Sequence, residues 1–204
     1  MSRTPIRVVK VGGSLLELPD LAPRLRCWLA SQAAAHHVIL AGGGPLAQQV
    51  RHWHTQRPLT EVAAHWMCVD LMTVTAHLLN DRLPEIPLIE DDRLLCQRIG
   101  DRSCTIFGVG RWMRHCESKL PGTKLPATWE VSSDSISGRL AIVLGADELV
   151  LMKSSLPPAG CQRLEPDKIA QLATTGYVDL MLPRLAGELP PLHVVDLRAQ
   201  EMHK

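Results

Sequence analysis

The sequence predicts an α/β protein: a three-layer α/β/α sandwich with a mainly parallel central sheet. Two observations carry this. Short, continuously apolar, β-branched-rich runs alternate with longer segments of helical periodicity, the pattern of strands covered on both faces by crossover helices. Two of those runs also stop abruptly at clustered glycines, Gly12-Gly13 and Gly42-Gly43-Gly44, as strands do where they enter tight turns. At 204 residues the chain can bury a full core as a single domain without disulfide or metal staples.

Taken in order, Ile6 to Val11 reads as a buried strand. Pro19 to Ala35 carries the helical stripe Leu21, Leu25, Trp28 and Leu29. Val38 to Ala41 is a second buried strand, and Leu46 to Gln56 a helix. Thr60 to Leu83 is the strongest helix, with Thr60 as N-cap, Glu61 favoured in the first turn and Pro84 as the stop. Its apolar coverage is wider than one core-facing stripe, so burial on two sides is expected, with a homodimer or higher homo-oligomer as the means. The pattern is weaker from Pro84 to Thr128. A strand is expected at Thr105 to Val109 and loop around Pro121-Gly122 and Pro126. Ser132 to Gly145 reads as a capped helix, Glu148 to Met152 as a strand, and Pro157 to Gly160 as a turn. Pro166 to Thr175 is a helix and Leu192 to Leu197 a last strand.

Composition removes several function classes. Lys plus Arg total 22 against 21 Asp plus Glu, so no bulk field is available to hold nucleic acid or an anionic membrane. No stretch is expected to reach the roughly 18 apolar residues of a membrane span, and the N-terminus lacks a secretory pattern. A soluble, cytoplasmic protein is expected. Cys27, Cys68, Cys96, Cys104, Cys116 and Cys161 lie far apart with no C-x-x-C spacing, which reads as free buried thiols. Neither His36-His37 nor His52 and His54 have a carboxylate or thiol at ligand spacing, so no metal ligands are assigned. The basic run Arg111, Arg114, Lys119 and Lys124 reads as a solvated face, as does Glu90-Asp91-Asp92. Trp53, Trp66 and Trp129 are expected in core, interface or pocket wall.

The chemistry concentrates in four places. Lys10 precedes Gly12, Gly13 and Ser14 at the end of the first strand, and Gly42, Gly43 and Gly44 follow the second. Glycines there let backbone N–H groups approach a phosphate. Neither turn is G-x-G-x-x-G, and no G-x-x-x-x-G-K-[ST] exists, so neither a dinucleotide fold nor a Walker NTPase is supported. Ser132 to Ser135 opens a late helix, where Asp134 has a plain alternative role beside the helix dipole. Lys153 closes a buried strand, where a lysine is often only a solvated edge residue.

The order of these four elements (K-x-G-G-S, G-G-G-P, S-D-S, and L-G-A-D-E-L-V-L-M-K from Leu144 to Lys153) resembles the amino acid kinase family. That family includes acetylglutamate, aspartate, carbamate, uridylate and isopentenyl phosphate kinases. The resemblance implies phosphoryl transfer from ATP with magnesium. Lys10 would bridge the β- and γ-phosphates, and the Gly12, Gly13 and Ser14 amides would cradle ATP oxygens, with Ser135 grouped among the nucleotide contacts. Gly42, Gly43 and Gly44 would admit the acceptor against bare backbone. Asp134 would orient the lysines or the magnesium, and Lys153 would neutralise nucleotide charge. The acceptor-binding part would span roughly residues 1–130 and the nucleotide-binding part roughly 131–204. The sequence departs from the family where many members carry D-G-[VI]-[YF] after the lysine strand. Here Lys153-Ser154-Ser155-Leu156-Pro157 follows, so the nucleotide half is pared down, and Gly176 to Asp179 would be a remnant of the segment that closes it.

No arginine stands in a motif that would clamp an amino-acid carboxylate. The small size and the Trp129-Glu130-Val131-Ser132-Ser133-Asp134-Ser135 segment look most like the aminomethylfuran-phosphate kinase branch of methanofuran and one-carbon cofactor biosynthesis. That branch implies a small phosphate-bearing acceptor and a diphosphate product. The alternative is a catalytically reduced kinase-fold protein that binds a nucleotide or oxyanion.

Overall fold

A computed structural model describes residues 3–100, 103–157 and 162–199. Seven strands form one sheet: β1 (Ile6–Val11), β2 (His36–Ala41), β3 (Leu88–Ile89), β4 (Cys104–Phe107), β5 (Glu148–Lys153), β6 (Arg163–Leu164) and β7 (Leu192–Asp196). Their spatial order is β3-β4-β2-β1-β5-β7-β6, and every pairing is parallel except β6 with β7. The helices are α1 (Leu21–Ser31), α2 (Gly44–Gln56), α3 (Glu61–Arg82), α4 (Asp92–Arg98), α5 (Gly110–His115), α6 (Ser133–Leu144), α7 (Pro166–Thr174) and α8 (Leu182–Leu185).

Side chains alternate across a strand, so each central strand feeds two cores. Val8, Leu40, Leu149 and Leu151 pack with Ile136 and Leu140 of α6 on one face. Val9, Val11, Ile39 and Val150 pack with Leu21, Leu25 and Trp28 of α1 on the other. The expected three-layer arrangement is therefore present. The same alternation sends Lys10, two residues past Val8, and Lys153, two past Leu151, to the α6 face. β1 pairs with β5 in parallel, Val11 opposite Met152, so the two lysines emerge side by side at the carboxyl ends of neighbouring strands.

Thr60 caps α3 as expected, its hydroxyl accepting from the Ala63 N–H. Contrary to expectation, α3 is long and apolar enough to cross a membrane, with a mean hydropathy of 1.3 over 18 residues. Its scattered polar residues had hidden that average. Its buried residues Val69, Met72, Ala76 and Leu79 join the two cores beneath it, as those of a core helix do. The expected strand at Thr105–Val109 ends earlier, at Phe107, because Val109 already has helical backbone and leads α5. The sequence pattern predicts none of β3, α4, α5, β6 and α8. Past Pro157 the expected turn lies outside the described residues, as does Cys161. Cys27 and Cys96 are exposed rather than buried.

The basic run lies on the surface as expected, where Arg114 pairs with Asp70 at 2.5 Å and covers the Trp66 ring at 4.7 Å. Among the described residues, no cluster of three His, Cys, Asp or Glu side chains could hold a metal ion.

Candidate functional site

The two glycine turns meet. A Cβ on Gly13 would stand 2.3 Å from the Gly44 backbone nitrogen, and one on Gly44 would stand 2.8 Å from the Gly13 carbonyl oxygen. Gly44 also has a φ of +55°, a backbone region that glycine enters without strain. The turns form one wall of a cavity of about 620 Å³ lined by Lys10, Gly13, Ser14, Gly43, Gly44, Asp134 and Lys153 among others. Gly12, Gly42 and Ser135 do not line it. Gly12 instead lets β1 approach β5, since a Cβ there would meet the Met152 carbonyl oxygen at 2.7 Å. Ser135 is fully buried and its hydroxyl donates to Asp179.

At the cavity floor one carboxylate holds two ammonium groups. Lys10 Nζ lies 2.9 Å from Asp134 Oδ1, and Lys153 Nζ lies 2.6 Å from Oδ2 and donates to the Tyr177 carbonyl at 2.9 Å. Burial by itself would raise the Asp134 pKa, but the two lysines outweigh it and bring it down to about 2. Lys10 is shifted below the ordinary lysine value by burial, with Asp134 opposing the shift. Asp134 is not the helix cap. Ser132 caps α6 by accepting from the Asp134 N–H, so the carboxylate is free to serve the lysines.

Asp179 supports this arrangement from behind. Its Oδ2 accepts from the N–H and hydroxyl groups of both Ser132 and Ser135, and its Oδ1 from the Met181 and Leu182 N–H groups. It thereby ties the start of α6 to the start of α8. Burial and the neighbouring Asp134 charge raise its pKa against the pull of those hydrogen bonds. The Gly176–Asp179 segment flagged in the sequence thus reaches the site, in a positioning role that composition could not reveal.

The opposite end of the cavity is built by two helical stripes. Gly44, Ala47, Gln48 and Arg51 follow the i, i+3, i+4, i+7 spacing on α2, and His65, Cys68, Val69 and Met72 repeat it on α3. Thr128 and Trp129 complete the wall. Arg51 therefore stands at a site where no clamp arginine was placed from sequence, and only its spacing from Gly44 could have marked it. Burial lowers the His65 pKa, which keeps the imidazole neutral near pH 7.

Two helix N-termini, those of α2 and α6, open on this cavity beside three cationic side chains. Such an arrangement attracts a polyanion and stabilises charge that develops on it.

No family model matches the sequence, and no curated protein does. Solved structures match in fold. The uridylate kinase of Archaeoglobus fulgidus is 16% identical over 94% of this chain and 90% of that one, with a TM-score of 0.60. The UMP kinase of Bacillus anthracis is 13% identical over 97% and 89%, with a TM-score of 0.63. A carbamate kinase from Giardia lamblia bound to AMP-PNP is 11% identical over 97% and 94%, with a TM-score of 0.56. At these identities the likeness shows the shared α/β fold alone.

Proposed function

We propose that the protein is an ATP-dependent phosphotransferase, using magnesium, that passes the terminal phosphoryl group to a small acceptor already carrying a phosphate. The observation that carries this reading is one buried carboxylate shared by two lysines, Lys10 and Lys153, on the floor of a cavity walled by bare glycine backbone. Phosphoryl transfer needs positioned cations and donors more than covalent chemistry. An oxygen of the acceptor forms the new bond to the γ-phosphorus, and the bond to the β,γ-bridging oxygen breaks, leaving ADP with the electron pair. Lys10 and Lys153 neutralise charge on the phosphate oxygens while Asp134 fixes both ammonium groups. The amides of Gly13, Ser14, Gly43 and Gly44 face the same oxygens, and Asp179 keeps the α6 terminus aligned.

A magnesium ion suits this site chiefly through phosphate oxygens and water. The two carboxylates in the wall, Asp134 and Asp179, are already engaged by lysines and by backbone and serine donors. When bound, the ion would supply further charge neutralisation. The acceptor part is taken as roughly residues 1–130 and the nucleotide part as roughly 131–204, with Ser135, Gly12 and Gly42 shaping the site from behind. The finer reading, an aminomethylfuran-phosphate type of acceptor in one-carbon cofactor biosynthesis, rests on the sequence resemblance alone, carried by the small size, the K-x-G-G-S start, the Trp129–Ser135 segment and the short tail. The test is transfer of label from [γ-³²P]ATP to a panel of phosphomonoesters. A labelled diphosphate product is expected. Tight nucleotide binding with no transfer to any acceptor would favour the catalytically reduced binder instead.

A homodimer is part of the same reading. Val74 and Leu78 are exposed on one face of α3, and a second copy of this helix would cover them. Light scattering at micromolar concentration should give twice the 22.5 kDa chain mass, and a monomer would reject the dimer.

A further inference from the structure

The acceptor end of the cavity has a charge inventory that narrows what it can hold. Three cationic side chains, Lys10, Arg51 and Lys153, face it together with two carboxylates, Asp134 and Asp179. Asp134 is held by the two lysines, and Asp179 by six hydrogen bonds. Arg51 makes no ion pair among the described residues, and its guanidinium sits 5.5 Å above the Trp129 ring. Trp129 is itself steadied by His54, edge-on at 5.2 Å, whose Nδ1 accepts from the Leu59 N–H. A guanidinium over an aromatic face is attracted to the ring without spending an N–H donor, which leaves its fork to bind a phosphate or carboxylate with two hydrogen bonds.

Thr128 and Trp129 form the wall beside Arg51, with the Thr128 hydroxyl and the Trp129 indole N–H turned away from solvent. Around them the surface is apolar: Val69, Met72, Val131 and Ile136. The wall offers no uncommitted carboxylate to an ammonium group.

We propose that Arg51, braced by Trp129, grips the anionic group of the acceptor, and that the acceptor is a phosphomonoester of a small, largely apolar organic group rather than an α-amino acid. This rests on the phosphotransferase reading for what is transferred, but the grip itself is a binding property. An α-amino acid would leave its α-ammonium unpartnered against Arg51 and the lysines, and that desolvated charge is costly. A phosphomonoester places its charge on the guanidinium and its organic part on the apolar wall.

The experiment is calorimetry on the full chain saturated with AMP-PNP and magnesium, so that the triphosphate subsite is filled. Phenyl phosphate and L-aspartate are then titrated as probes. Phenyl phosphate should bind about 10- to 100-fold more tightly than L-aspartate, the range of a charged hydrogen-bonded pair. Arg51→Met should weaken phenyl phosphate by a similar factor, and Arg51→Lys should recover part of the loss, because it restores the charge but not the fork. Arg51 is exposed, so both variants should fold, which their thermal melts would check. Equal phenyl phosphate affinity in wild type and Arg51→Met would overturn the proposal, as would L-aspartate binding as tightly as phenyl phosphate. A wild-type chain that fails to bind AMP-PNP yet binds phenyl phosphate through Arg51 would support the grip and defeat the phosphotransferase reading instead.

Discussion

Helix α6 carries two buried ion clusters little more than a turn apart, and they are built to different ends. Near its start, Asp134 serves two ammonium groups at the floor of an open cavity. Further along, Arg139 Nε donates to Glu117 at 2.9 Å, with side chains 0% and 3% exposed. Arg139 also donates to the Leu120 carbonyl, and Glu117 accepts from the Leu125 N–H, so this pair staples the 117–125 segment to the helix. The stapling pair is balanced, one charge to one, and sealed. The Asp134 cluster has a cation in excess and faces space. Burial alone therefore does not distinguish the two clusters; surplus charge with access does.

The comparison breaks most visibly in stability. Glu117→Ala leaves the Arg139 guanidinium buried without its carboxylate, which should cost about 3–5 kcal/mol, read from urea unfolding. Transfer per folded molecule should be unaffected, and a stable variant would show that the staple is dispensable. At the cavity the effect should move from folding to rate. Lys10→Ala and Lys153→Ala should each lower kcat by about 10²–10³, the loss expected for one positioned donor. Each leaves Asp134 with one partner, so the unfolding midpoint should shift far less than in Glu117→Ala. Normal turnover in either lysine variant would reduce the cluster to a second staple.

A pH profile sharpens the contrast further. Burial holds the Lys10 pKa below the ordinary 10.5, and Asp134 pulls it back up. Activity should therefore fall, as pH rises, earlier than an ordinary lysine would dictate. Asp134→Asn, which removes the opposing charge, should move that alkaline limb to still lower pH. An unmoved limb would mean that Lys10 is not the titrating group. The smallest effect concerns His37, a buried group whose nearby Glu148 charge does not offset its burial. Burial, then the Arg7 and His36 charges, depress its pKa from 6.5 to about 4. The unfolded chain takes up its proton near pH 6.5 while the folded chain refuses it until about 4, so stability should fall as pH drops through that window. His37→Phe keeps an aromatic ring against Trp28 and should flatten the melting curve's dependence on acid by a few degrees.

Much of this was legible because the signals were local. β1, β2 and β5 each centre on an apolar run, the three-residue glycine cluster closes β2, and Thr60 and Pro84 bracket α3. Lys10 and Lys153 stand out because they end apolar runs. What escaped was short or tertiary. β3 and β6 are two residues each, too short for periodicity, and exist because a neighbouring strand supplies their partners. The order of motifs picks out Asp134, but its burial is tertiary, because the α6 terminus points at the ends of β1 and β5. Arg51 and Trp129 lie far apart in sequence, and only the packing of α2 against the loop before α6 brings them together. The Asp179 ties between α6 and α8 are likewise a matter of three-dimensional closure.

The contact between Gly13 and Gly44 also bears on how this protein can change over evolutionary time. Each glycine occupies the space that the other's side chain would need, so neither can be replaced first and rescued by the other later. Mutational drift at that seam is arrested from both sides. On the proposed function, diversification toward new acceptors would run through the less buried positions of the α2 and α3 stripes, Gln48, Arg51 and Cys68, which can be exchanged without disturbing the seam. A library randomised at those three positions should yield folded proteins with redistributed acceptor preference, whereas one that includes Gly13 or Gly44 should be depleted of folded members.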